Sequence, residues 1–124
     1  MRHLANPHRG GGPLAPGAPY PSVAAGRVAA LLARCPAASE TPLTDATGLA
    51  PVAALWVKDE RARMGLGSFK ALGAAYVIAA EAAAATAEPG PDTLAGRTYV
   101  TASAGNHGMS VAAGARIFGA RAVV

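Results

Sequence analysis

Residues 53–76 read AALWVKDERARMGLGSFKALGAAY, and the fold class turns on this stretch. Ala53-Ala54-Leu55-Trp56-Val57 is an apolar run bounded by Pro51 and by Lys58-Asp59-Glu60, which predicts a buried strand. The glycine-containing loop Met64-Gly65-Leu66-Gly67 follows. Ser68 is a good N-cap, and Phe69, Leu72, Tyr76 and Ala79 predict the buried stripe of a helix running to about Ala87.

The same pattern returns downstream. Pro89-Gly90-Pro91 breaks the helix, and Thr98 to Thr101 predicts a second strand. A loop from Ala102 to Gly105 leads into a helix from about Asn106 to Phe118, with Met109, Ala113 and Ile117 on its periodic face and Gly119 as its C-terminal cap. Ala120 to Val124 predicts a third strand. Strand, helix, strand, helix, strand is the order of two right-handed βαβ units, so the expected fold is α/β with an open parallel sheet. A buried parallel strand in the last five residues leaves its faces to be covered, and the chain is therefore expected to be the front of a larger domain.

Outward from this centre, Val23, Val28, Leu31 and Leu32 suit a short helix between Val23 and Arg34 that ends before Pro36, and Glu40 to Leu43 reads as an extended turn. Residues 1–22 alternate five prolines with four glycines and predict a flexible tail, leaving 23–124 as the folded part. The 124 residues are 52% hydrophobic and 15% charged, but 33 are alanine, so the core is expected to be thin. The net charge of +4 comes from arginines scattered along the chain without interleaved aromatics, which argues against a nucleic-acid partner. Cys35 is the single cysteine, and neither a secretory signal nor a membrane span is evident, so a cytoplasmic protein with no metal site is expected.

In open α/β sheets, ligands bind where strand ends lead into helix N-termini. Two loops lie there. Lys70 falls in the first turn of its predicted helix among Phe69, Ala71 and Leu72, where apolar neighbours and the helix dipole favour a neutral, nucleophilic amine. A lysine snorkelling to water fits the position as well. Lys58, beside Asp59 and Glu60, reads as a solvated strand-end charge. Ser103-Ala104-Gly105-Asn106-His107-Gly108 has small residues that let backbone N–H groups approach a carboxylate; a helix-capping turn with an incidental histidine fits equally. Neither loop is a Walker A or GxGxxG fingerprint.

Taken in order, Thr41-Pro42-Leu43, Val57-Lys58-Asp59-Glu60, Gly67-Ser68-Phe69-Lys70-Ala71-Leu72-Gly73-Ala74 and Ser103-Ala104-Gly105-Asn106-His107-Gly108 resemble the N-terminal portion of pyridoxal-phosphate (PLP) enzymes of the tryptophan-synthase-β type, fold type II. The resemblance covers roughly Pro36 to Val124. It makes 23–124 the front of a PLP-dependent lyase domain whose cofactor-phosphate loop would lie further downstream. The stretch around Lys58 and Lys70 is most similar to diaminopropionate ammonia-lyase, whereas the Ser-Ala-Gly-Asn-His form is more similar to the threonine/serine dehydratases.

By that resemblance Lys70 would carry pyridoxal 5'-phosphate as a Schiff base and move protons at the substrate Cα. Phe69 would pack on the pyridine ring and Asn106 would hydrogen-bond the cofactor's phenolic oxygen. Ser103, Gly105, Asn106 and His107 would hold the substrate carboxylate. The implied reaction releases ammonia and a 2-oxo acid from a small amino acid, in a full-length homo-oligomer with neither a nucleic-acid nor a membrane partner. The alternative is a non-catalytic remnant or regulatory α/β module without cofactor.

Overall fold

The computed structural model describes residues 23–124; the tail expected at 1–22 lies outside them. Three helices, α1 (Ala25–Leu32), α2 (Lys70–Ala85) and α3 (Asn106–Ile117), alternate with four short strands: β1 (Leu43–Asp45), β2 (Trp56–Lys58), β3 (Thr98–Val100) and β4 (Arg121–Val123). The helices fall close to their expected positions. α2 ends two residues early, where Thr86 turns extended ahead of Pro89.

The sheet differs from expectation. β3 and β4 pair in parallel around α3 and form one βαβ unit, with Tyr99 opposite Ala122. β2 does not join them; it pairs antiparallel with β1 in a separate two-stranded sheet, Leu43 opposite Lys58 and Asp45 opposite Trp56. The expected buried strand at Ala53–Val57 is therefore shorter, shifted and exposed throughout. A nearby extended segment wins this pairing. Pro42 O accepts the Asp59 N–H, and Thr47 Oγ1 accepts the Leu55 N–H, so side chain and backbone extend the ladder at both ends. β4 is also more exposed than predicted, with only Ala122 half-buried.

The core is small. Ala74, Ile78, Ala82, Leu94 and Val111 are buried together, flanked by half-buried Tyr99, Phe118, Ala120 and Ala122. On α2 the buried residues are Ala71, Ala74, Ile78 and Ala82; the period is helical but rotated from the expected Phe69–Leu72–Tyr76–Ala79 stripe. On α3 the expected Met109, Ala113 and Ile117 give way to Gly108, Ser110, Val111, Gly114 and Ala115. The physical reason is close helix contact. A Cβ added at Gly114 would lie 3.0 Å from Ile78 Cδ1, so the small faces meet and the larger side chains are left outside the contact. Buried Ser110 returns its hydroxyl to Asn106 O at 2.7 Å.

Polar contacts close the layer. Arg97 pairs with Glu81 at 2.6 Å, and Tyr99 donates to the same carboxylate from β3; burial first, then this bond, pushes the phenol up to about 12. The Leu94 N–H reaches Phe118 O at 2.8 Å. Gly119 caps α3 at φ +74°, where an added Cβ would meet Pro91 O at 2.3 Å. These contacts put the residues after α2 against the end of α3, so the two helices run in the same direction. Gly119→Ala is expected to destabilise by about 2 kcal/mol or more from strain and collision, whereas Gly73→Ala, with open space at Cβ inside α2, is expected to stabilise by about 0.5–1 kcal/mol. Thermal melts of the two variants check both signs.

Candidate functional site

Because α2 and α3 are co-directional, their N-termini lie at one end of the layer. Ile78 meets Gly114 eight residues into each helix, about 12 Å from either start at 1.5 Å per residue. Lys70 and Asn106, the first residues of the two helices, are therefore level with each other along the axes.

The two N-termini are not equivalent. At α2 the first donors are satisfied locally: Lys70 N–H reaches the hydroxyl of buried Ser68 at 3.2 Å, Ala71 N–H reaches Ser68 O, and Leu72 N–H reaches Phe69 O. Ser68 thus does the work expected of a cap, although Phe69 occupies the N-cap position. At α3 the Met109 N–H is bonded to Gly105 O, but the N–H groups of Asn106, His107 and Gly108 meet no acceptor among the described residues. An α-helix leaves such donors to a cap, water or a ligand, and the helix dipole favours an anion there.

Each expected site residue can be placed. Lys70 and Phe69 are exposed, with Lys70 Nζ 4.9 Å from the Phe69 ring centroid. The desolvation expected from apolar neighbours is absent, because Ala71 turns into the helix contact and Phe69 faces outward. Ser103 is half-buried, and Gly105, Asn106 and His107 are exposed. The loop is held by Gly108: a Cβ there would sit 1.8 Å from Ser103 O. Only a residue without a side chain lets the backbone fold back so closely.

The chain has two lysines. Lys58, expected to be a solvated charge, is exposed but donates from Nζ to Thr41 O. Lys70 Nζ has no hydrogen-bond or ion-pair partner among the described residues. An accessible primary amine beside an aromatic ring, level with unfilled backbone donors, fits a carbonyl cofactor and an anionic substrate group. Among the described residues no His, Cys, Asp and Glu cluster could hold a metal ion, and no helix is long and apolar enough to cross a membrane.

A polar cluster lies behind the Lys70 loop and was not singled out from sequence. Arg63 Nε and Nη2 grip Glu60 at 2.6 and 2.9 Å, and Nη2 also reaches Thr41 Oγ1 at 2.7 Å. Thr41 is buried and passes its own hydroxyl hydrogen to Glu60 at 2.7 Å. Thr41 and Glu60 each belong to a quoted motif, but nineteen residues separate them and no periodicity links them. An apolar groove of about 370 Å³ between α1, α2 and α3 includes Met64, Tyr76 and Ile117; Lys70 is not part of its lining.

These features define a class: an α/β chain whose helix N-termini present an exposed amine and a loop of open backbone donors at one end. The family model described as pyridoxal-phosphate dependent enzyme matches residues 35–124, and the chain belongs to that family. The family is pyridoxal-phosphate dependent, and the match begins just after α1. Comparison with curated proteins and with solved structures finds no match.

Two outcomes follow. Gly108→Ala is expected to cost roughly 1–3 kcal/mol, because the Ser103 backbone must move; a thermal melt reads it. Hydrogen bonds from Arg63, then Thr41, hold the Glu60 carboxyl at about 2, and Arg61 holds Asp59 at about 2. A lowered carboxyl stabilises the fold fully above its ordinary value, here 4.5 and 3.8, and loses that contribution as the pH falls through about 2. The melting temperature should hold above pH 5 and fall below it, with part of that fall removed in Glu60→Gln. The Asp59 share should be the smaller and salt-sensitive one, since Arg61 is exposed.

Proposed function

We propose that this chain supplies the attachment lysine and the substrate-carboxylate loop of a PLP-dependent amino-acid ammonia-lyase. The observation that carries the reading is the contrast between the two lysines: Lys58 is tied to Thr41 O, whereas the exposed amine of Lys70 touches the Phe69 ring and has no hydrogen-bond or ion-pair partner among the described residues. The substrates favoured are 2,3-diaminopropionate or a hydroxyamino acid such as serine or threonine. The β leaving group is accordingly an amine or a hydroxyl.

Bound pyridoxal phosphate supplies an electron sink for negative charge developing at the substrate Cα. Lys70 Nζ would hold the cofactor through its aldehyde group and would move the proton at the substrate Cα. The open N–H groups of exposed Asn106 and His107 would orient the substrate carboxylate, and Ser103 and Gly105 would shape the turn that presents them. The Asn106 amide would donate to the cofactor's phenolic oxygen, and the Phe69 ring would pack on the pyridine. Loss of the β-substituent and hydrolysis then release ammonia and a 2-oxo acid. A small amino acid is the partner this chemistry requires, and the complete enzyme is proposed to be a homo-oligomer acting in the cytoplasm.

The test is direct. The chain is mixed with pyridoxal 5'-phosphate, reduced with borohydride and mapped by mass; the adduct is expected on Lys70 and absent in Lys70→Ala. The chain alone is proposed to be inactive; in the complete enzyme, release of ammonia and a 2-oxo acid from the three amino acids, lost by at least a hundredfold in Lys70→Ala, supports a lyase. No adduct on Lys70 favours the non-catalytic module instead.

A further inference from the structure

The segment that delivers Lys70 is conformationally unusual. Met64, Gly65 and Gly67 all have left-handed φ, at +48°, +70° and +69°, and Met64 lacks glycine's freedom to adopt it. A single 3-10 turn at Arg63–Gly65, closed by the Leu66 N–H on Arg63 O, holds the segment. Such a backbone takes its direction from its anchors. Downstream the anchor is buried Ser68. Upstream it is Arg63, whose side chain is 11% exposed and whose guanidinium binds both Glu60 oxygens, Thr41 Oγ1 and, at 2.7 Å, Ser39 O.

The same anchor restrains the other lysine. Thr41 is shared: its hydroxyl sits between Arg63 and Glu60, and its carbonyl accepts from Lys58 Nζ. That bond fixes where the Lys58 nitrogen sits and restricts the directions from which it can approach a carbonyl carbon.

We propose that Arg63 is a positioning residue: its clamp on Glu60 and Thr41 aims the 64–67 segment so that Lys70, and not Lys58, is the amine offered to a carbonyl compound. This rests on Lys70 being the attachment lysine. The planar fork is essential to it, because the three donors of a lysine at 63 could not replace the four bonds to Glu60, Thr41 and Ser39. Removing the fork acts on the two amines in opposite directions, slowing Lys70 and releasing Lys58.

The test uses the full chain with pyridoxal 5'-phosphate as probe. The amine nitrogen adds to the aldehyde carbon, water leaves, and borohydride delivers hydride to the resulting C=N carbon, fixing a secondary amine that peptide mapping locates. In the wild-type chain Lys70 is labelled faster than Lys58. In Arg63→Gln, kept well below its melting temperature, the Lys70 rate is expected to fall at least fivefold while the Lys58 rate rises. Arg63→Lys should not restore it. Mere loosening would free Lys58 but would not slow an amine that is already exposed, so the fall at Lys70 is the decisive reading. Thr41→Val removes only the shared hydroxyl and should, like Arg63→Gln, lower the Lys70 rate and raise the Lys58 rate; it stands in if Arg63→Gln does not fold. Unchanged rates in the folded variant overturn the role of Arg63 alone, whereas a wild-type chain unlabelled at Lys70 overturns the attachment reading and this proposal with it.

Discussion

The contact between α2 and α3 sets the geometry of everything else. It is made by small side chains, with Ile78 seated over Gly114 and alanines along both faces, and small faces let the axes come close. A core of this kind stabilises little per residue, because a methyl group buries little area. Its value is registration. With the connector at Pro91 to Leu94 locked on the end of α3, neither helix can slide without driving backbone into backbone at Gly119. The two N-termini are thereby held level, although they lie far apart in sequence.

Two helix starts of the same geometry carry different chemistry because their first donors are treated differently. Ser68 closes the first turn of α2, so what that end presents is the side chain of Lys70. The SAGNH loop leaves the first turn of α3 open, so what that end presents is backbone. A cation at a helix N-terminus is disfavoured by the dipole and an anion is favoured. One helix start thus presents an exposed amine and the other presents open backbone donors.

Helix positions were legible in the sequence, since caps and breakers such as Ser68, Pro89-Gly90-Pro91 and Gly119 act locally. Which helix face would be buried was not. Hydrophobicity points to Tyr76, Met109 and Ile117, but packing distance selects Ala74, Gly108 and Gly114, a preference that appears only when the partner helix is in place. The partner of β2 was missed for a related reason: an apolar run says that a strand forms, not which neighbour it pairs with, and the three-residue strand at Leu43–Asp45 carries no periodic signal. At the site, Lys70 and the 103–108 loop stood out as residue types in a pattern. The Arg63 clamp did not, because its bonds join Ser39, Thr41, Glu60 and Arg63 from separate segments.

The two halves of the site also differ in how far along the chain their contacts reach. The carboxylate loop is closed by Ser103 against Gly108, five residues apart, within one βαβ unit. The direction of Lys70 depends on bonds from Arg63 that span 22 and 24 residues. Short-range closure loses less chain entropy and forms sooner than long-range closure. On loop-closure entropy alone, the 103–108 turn is therefore expected to close before the bonds that direct the Lys70 segment.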